Sequence, residues 1–290
     1  MNIFRRLFLL NKFVNNVPKF LTSESSAKAF IENAENEKSI IVNKTGKITL
    51  IAINRPEKKN ALDTATTKLL CDALDEFEKD DNAAVGVLYG IGGNFCAGFD
   101  LHEIANSEGN ENKLPQFGAL ASRNELTSKP LVASLNGYAA GFGLELALMC
   151  DVRVIEETAV IGFLNRRFGI PILCGGKSIT GEEAFNIGLA TKLTTCGTGL
   201  GQAVNYAKSL VKFPQQTLLA DRTSMHYATF LAKQMEEALQ FEKDNASHLL
   251  IEEGIEGAKK FAEKGIGRHG KFYNLTEQDD TIRELDKNLL

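Results

Sequence analysis

Apolar residues follow two rhythms along this chain. Between residues 40 and 155 they gather in short, nearly continuous runs, at 40–42, 48–53, 85–89, 131–135 and 152–155. Runs of four to eight apolar residues bounded by turn signals predict buried strands. Asn43-Lys44-Thr45-Gly46-Lys47 separates the first two runs, and Arg55-Pro56 ends the second. Between the runs the spacing becomes helical. Leu69, Leu70, Ala73, Leu74 and Phe77 share one helix face, and Asp63 stands where an N-cap belongs. Residues 144–149 predict a further, mostly apolar helix. Beyond about residue 202 the strand signal vanishes, and residues 203–211, 216–240 and 246–263 carry amphipathic helical patterning. Buried strands alternating with helices, then helices alone, predict an α/β fold with a C-terminal all-helical region. A core at residues 39–201 and a helical region at 202–290 are the expected divisions.

The two ends and the composition narrow the picture. Residues 1–23 hold Arg5, Arg6, Lys12 and Lys19 among apolar residues and no acid. That mixture resembles a mitochondrial targeting peptide, which predicts the mitochondrial matrix; a frayed helix carrying no address is the competing reading. Residues 24–38 are polar and read as a linker. The 290 residues include 33 Lys and Arg against 37 Asp and Glu, a net charge of −4 that gives no general pull toward nucleic acid. No apolar run is long enough to cross a membrane. Cys71, Cys96, Cys150, Cys174 and Cys196 are odd in number and lack CxxC spacing, so buried thiols are expected.

Two glycine-rich loops carry the candidate chemistry. The first, Gly92-Gly93-Asn94-Phe95-Cys96-Ala97-Gly98-Phe99-Asp100, follows the run at 85–89. The second, Asn136-Gly137-Tyr138-Ala139-Ala140-Gly141-Phe142-Gly143, follows the run at 131–135 and leads into the helix at 144–149. Each alone reads as a tight turn. As a pair after parallel strands they could aim two backbone N–H groups at one carbonyl oxygen, an oxyanion hole. Glu145 stands among apolar residues, and an unpaired buried carboxylate is costly. It is either a cavity-facing general acid or base, or a helix-start carboxylate favoured by the dipole. Other chemistries fail on the sequence. Gly176-Lys177-Ser178 lacks the earlier glycine of a P-loop, because Pro171 stands there. GxGxxG is incomplete, GxSxG is absent, and His102, His226, His248 and His269 are too scattered for a metal site. Cys96 has no legible base partner.

At these loops the chain resembles the crotonase family, the enoyl-CoA hydratase/isomerase superfamily. Ile53-Asn54-Arg55-Pro56-Glu57-Lys58-Lys59-Asn60-Ala61-Leu62 is similar to its first signature, residues 94–101 to its second, and KPLVASLNGYAAGFGLELALMCD at 129–151 to its third. Phe168-Gly169-Ile170-Pro171 and residues 181–190 resemble later ones. The resemblance implies a ClpP-like spiral of ββα units. It implies an acyl-CoA thioester as substrate, no cofactor beyond the CoA that the substrate carries, and a homotrimer or dimer of trimers. By motif position, the oxyanion N–H groups belong to Phe99 and Phe142, and Glu145 is a catalytic carboxylate. Arg55, Lys58, Lys59, Phe95, Ala97, Asp100 and Leu101 fall where the family binds CoA. No metal is implied.

Three departures from the family pattern stand out. Phe142 occupies a position that is glycine in the motif, where a positive φ would strain it. Asn165 stands where hydratases of the family carry a second glutamate, and an amide cannot transfer a proton at neutral pH. Only residues 177–180 separate Gly175-Gly176 from the 181–190 motif, where a helix is expected. Addition of water to a 2-enoyl-CoA through an enolate held in the oxyanion hole is the leading expectation. An isomerase or hydrolase using one carboxylate, and a weakly active CoA-binding or oligomerisation subunit, are the alternatives.

Overall fold

The computed structural model describes residues 38–108, 127–164, 167 and 176–265. All of these but Lys38 belong to a single unit that begins at Ser39. An antiparallel pair opens it, β1 (Ile40–Thr45) and β2 (Ile48–Ile53), in the register Ile40 to Ile53. Helix α1 (Thr64–Lys79) crosses to β3 (Val85–Gly90), which pairs parallel with β2. Short helix α2 (Leu101–Ala105) follows the first glycine loop. Strands β4 (Leu131–Leu135) and β5 (Tyr138–Ala140), helix α3 (Phe142–Leu148), and strands β6 (Val152–Glu156) and β7 (Val160–Gly162) come next. Then come β8 (Ser178–Thr180), α4 (Gly181–Asn186), β9 (Lys192–Thr194) and α5 (Gly199–Val211). The main sheet has the order β1-β2-β3-β4-β6-β9, parallel after the first pair, and a smaller sheet has the order β5-β7-β8.

Strand periodicity divides the core into two layers. Ile48, Val85, Val87, Val132, Val152 and Val154 face Ala203, Ala207 and Val211 of α5. The alternate residues Ile51, Ile53, Leu88, Leu131, Ala133, Leu135 and Ile155 face Leu70, Leu74 and Phe77 of α1 and the two glycine loops. The Asp63 side chain accepts from the Thr66 N–H at 2.8 Å, so the expected cap of α1 is present.

The helical region differs from expectation in its breaks. Residues 216–240 form two helices, α6 (Gln215–Phe230) and α7 (Met235–Ala246). The Glu237 carboxylate accepts from the Lys233 N–H at 3.0 Å and from Tyr227 Oη at 2.9 Å, which supports the turn between them. Tyr227 and Phe241 stack across this hairpin at 3.9 Å. A π turn (Leu250–Gly254) precedes α8 (Ile255–Lys264). The region is fastened to the sheet by Arg222, whose Nε donates to Asp151 at 2.7 Å. Asp151 also accepts from the Leu131 N–H at the start of β4.

The interval at 177–180 is occupied by β8, which pairs antiparallel with β7 and runs directly into α4. Thr180 and Glu183 close a capping box there. Cys71, Cys96 and Cys150 are buried as expected, but Cys196 is exposed, because it lies in the turn ahead of α5 and not on a core face. Cys174 lies outside the described residues.

Asn60 joins the segment after β2 to the loop after β3. Its Nδ2 donates to the Ile91 and Asn94 carbonyls at 2.8 and 2.6 Å, and its Oδ1 accepts from the Arg55 N–H at 2.8 Å. Asn60 is fully buried and has φ 57°, a left-handed conformation that asparagine tolerates better than most residues. Asn60→Ala removes the partner of three partly buried backbone groups, so it should cost about 3 kcal/mol. Urea unfolding should show a lowered midpoint with an unchanged slope; a loss below about 1 kcal/mol would mean that the loops are held by other contacts.

Candidate active site

Both glycine loops leave the carboxyl ends of adjacent parallel strands, β3 and β4. They run side by side through a parallel bridge between Cys96 and Ala139. The Cys96 N–H donates to the Tyr138 carbonyl at 2.9 Å, and the Ala140 N–H donates to the Cys96 carbonyl at 3.0 Å. Asn94 Oδ1 accepts from the Tyr138 N–H at 3.1 Å. Gly143 lets α3 begin against this bridge, since a Cβ there would lie 2.2 Å from the Cys96 carbonyl oxygen. Sequence reasoning missed Asn60, and it read Asn94 and Gly143 only as parts of their loops. No signal in the sequence marks the first, because its partners Arg55, Ile91 and Asn94 meet it only in the fold.

The structure places Phe99 and Phe142 in direct contact. Their rings stack with centroids 4.2 Å apart and planes 25° from parallel. Phe142 is 0% exposed and Phe99 5%. The strain expected at Phe142 does not arise. Phe142 is the first helical residue of α3, and Gly141 before it takes the unusual backbone, at φ 54° and ψ −120°. Glycine enters that region at little cost. The Phe142 N–H, at the first helical position, has no intrahelical acceptor. Neither it nor the Phe99 N–H finds an acceptor among the described residues. Phe99 instead bridges Leu62, whose N–H donates to the Gly98 carbonyl at 2.7 Å.

Glu145 lies one turn after Phe142 on the same face of α3. It is half-buried, and its carboxylate has no hydrogen-bond or ion-pair partner among the described residues. Burial pushes its carboxyl above the usual glutamate value. Asn165 lies outside the described residues.

The residues read as CoA contacts fall into two groups. Arg55 is spent internally: Nη2 contacts Asp63 at 2.8 Å and Asp100 at 3.1 Å, and Nη1 donates to the Ala61 carbonyl at 2.6 Å. Lys58 reaches Asp100 at 2.7 Å. Burial raises the Asp100 carboxyl, but hydrogen bonds from Lys58, the His102 N–H and Arg55 outweigh it and leave the group below the usual aspartate range. Phe95 is fully buried, and the half-buried Ala97 donates its N–H to the Lys59 carbonyl at 3.0 Å. Lys59 and Leu101 reach the surface, Lys59 with its Nζ 4.6 Å from the Tyr138 ring centre. Burial pushes the Cys96 thiol up to about 12, which disarms it as a nucleophile. Among the described residues no His, Cys, Asp and Glu cluster could hold a metal ion, and no helix is long and apolar enough to cross a membrane.

The enoyl-CoA hydratase/isomerase profile matches residues 43–175. A probable mitochondrial enoyl-CoA hydratase of Dictyostelium discoideum is 30% identical over 234 residues, spanning 78% of this chain and 82% of that protein. The chain belongs to the enoyl-CoA hydratase/isomerase family. A short-chain-enoyl-CoA hydratase of Clostridium acetobutylicum is 30% identical over 198 residues, which is 60% of this chain and 75% of the relative. The crystal structure of an enoyl-CoA hydratase from Mycobacterium tuberculosis superposes with a TM-score of 0.70 at 26% identity, covering 79% of this chain and 97% of that one. The fold is therefore the crotonase fold of this family, with its sheet and C-terminal helices.

The Glu145 environment has a consequence for stability in this family member. A carboxyl whose value is raised on folding favours the fold while protonated, and that contribution is lost as pH rises through the folded value. Glu145→Gln removes the charge. The variant should therefore melt higher than wild type at pH 7.5, and the gain should shrink as pH falls toward the ordinary glutamate range. Differential scanning calorimetry across that interval checks the sign; a gain that grows on acidification would rule out desolvation as the cause.

Proposed function

We propose that this protein is an enoyl-CoA hydratase-like enzyme that adds water to a 2-enoyl-CoA thioester. The observation that carries the reading is the half-buried carboxylate of Glu145, one helical turn from the N–H of Phe142, both without a hydrogen-bond partner among the described residues. In the proposed reaction Glu145 takes a proton from water as the oxygen bonds to Cβ of the enoyl group. The electron pair of the double bond moves through Cα to the thioester oxygen and forms an enolate. The Phe99 and Phe142 N–H groups hold that oxygen as charge develops. The enolate collapses as Cα takes a proton from Glu145 or from water, which leaves a 3-hydroxyacyl-CoA. No separate cofactor enters, since CoA arrives with the substrate.

CoA recognition falls to the segment from Arg55 to Lys59 and to Phe95, Ala97, Asp100 and Leu101. Lys58 and Lys59 supply positive charge at the surface, while Arg55 keeps the wall in place through Asp63 and Asp100. The matrix of mitochondria is the proposed location, supported by the acid-free cationic residues 1–23 and by the mitochondrial name of the Dictyostelium relative. A homotrimer or dimer of trimers is the proposed assembly. Phe230, Leu231, Met235, Leu250 and Ile251 leave large apolar side chains exposed on the C-terminal helices, in keeping with a covered face. Sedimentation at micromolar concentration should give three chains or a multiple of three; a monomer would refute the assembly.

Asn165 favours a second reading, a CoA-binding subunit of low activity, because the family's second carboxylate is an amide at this position. An acyl-CoA panel scored for binding and turnover together separates the two. Hydration of short enoyl-CoA thioesters supports the enzyme, and binding with no product supports the subunit. Glu145→Gln should lower hydration by about 10² or more while thioester binding is roughly retained. Asn165→Glu should raise it if Glu145 already activates water. A fully active Glu145→Gln variant would remove this residue from the mechanism.

A further inference from the structure

We propose that the Phe99–Phe142 ring stack is a positioning element that fixes the separation of the two backbone N–H groups meant to hold the thioester oxygen. The proposal rests on the oxyanion reading above and adds to it the device that aligns the two donors. The hydrogen bonds joining the loops end early. Cys96 bonds to Tyr138 and Ala140, three residues before Phe99 and two before Phe142. Beyond that point no hydrogen bond among the described residues joins residues 97–100 to residues 141–145. Each segment is tied elsewhere instead. Leu62 and Lys59 hold the first through Gly98, Asp100 and Ala97, and the Gly162 carbonyl holds the second through the Gly141 N–H. What spans the gap at the donors themselves is the pair of rings, 4.2 Å apart and closed to solvent.

The geometry suits that task. A stacked aromatic pair has few rotatable bonds and a preferred separation, so it behaves as a stiff spacer between two Cα atoms. Each ring belongs to the residue whose N–H it would place, which couples ring position directly to donor position. A glycine at 142, as in the family motif, could not be held this way. The ordinary backbone of Phe142, with the strain passed to Gly141, is what lets a large side chain stand there. Catalytic donors misplaced by about 1 Å can cost on the order of 10² in rate, so a spacer at this point has leverage.

The test uses Phe142→Leu, Phe99→Leu and the milder Phe142→Met in the full chain, together with the Leu/Leu double variant. Hydration kinetics are measured with crotonyl-CoA. Polarisation of the bound carbonyl is read from the absorption red shift of a conjugated aryl-acryloyl-CoA. Loss of the spacer should lower kcat about 10-fold to 100-fold with KM changed less than about 3-fold. It should also reduce the red shift of the saturated complex. The double variant should lose no more than the worse single one, since either change breaks the same stack. A merely structural role would lower the melting temperature and leave the red shift of the folded, saturated protein intact, and that result overturns the proposal. Should Phe142→Leu fail to fold, Phe142→Met and Phe99→Leu carry the same comparison. A wild-type complex that binds the chromophore with no red shift would overturn the oxyanion reading itself, and the stack proposal with it. A wild-type shift that persists in every variant overturns the stack alone.

Discussion

The candidate site depends on one short stretch of backbone pairing, the parallel bridge between Cys96 and Ala139. Parallel strands β3 and β4 deliver their carboxyl ends side by side, where an α/β sheet offers a crevice to a ligand. A sheet alone would let the two loops splay apart after the last ladder bond. The bridge resumes the pairing six residues beyond the end of β3 and four beyond the end of β4, and the pressing of Gly143 onto the Cys96 carbonyl carries it to the first turn of α3. Everything chemically interesting is attached just beyond. Phe99 follows Cys96 by three residues, and Glu145 follows Gly143 by two. The burial of Cys96 follows from the same arrangement: its backbone is the structural element, and its inert side chain fills the space behind it.

The opposite ends of the strands are handled differently. Asp151 ties the start of β4 to Arg222 of α6, and the Arg222 side chain also reaches the Ser128 carbonyl. The helical region is thus fastened at the amino ends of the sheet, away from the loops. This division leaves the loop end free to be shaped by glycine, asparagine and phenylalanine. The charged cluster of Arg55, Lys58, Asp63 and Asp100 then braces it from the side of β2.

Long elements were legible in the sequence because their periodicity is long. Val85–Gly90 and Leu131–Leu135 stood out as apolar runs, and α1 as a stripe behind a capping aspartate. Three-residue strands such as Ser178–Thr180 and Lys192–Thr194 were not, since three positions show no period and the pairing partner decides. The break between α6 and α7 was hidden for a related reason: it is set by Glu237 and Tyr227 meeting in space. At the site, glycine loops and an isolated carboxylate are visible in one dimension, whereas the role of Asn60 is not. Its three hydrogen bonds go to residues 5, 31 and 34 positions away. The strain assigned to Phe142 was misplaced by one residue, because a motif fixes which residue is unusual less firmly than it fixes the loop.

Glu145 shows how stability and chemistry pull against each other beside such a loop. A carboxylate that accepts no hydrogen bond among the described residues is poorly stabilised when ionised, and half-burial compounds this. Pairing it with Arg55 or Lys58, both of which reach the first loop in space, would have favoured the fold and lowered its basicity. The structure directs those cations to Asp100 instead. Asp100 is thereby held ionised and fixed, while Glu145 keeps an affinity for protons nearer to neutral. Two carboxylates, one at the end of the first loop and one in the helix after the second, are driven in opposite directions by which cations reach them. That separation lets one serve as a brace and leaves the other available for proton transfer.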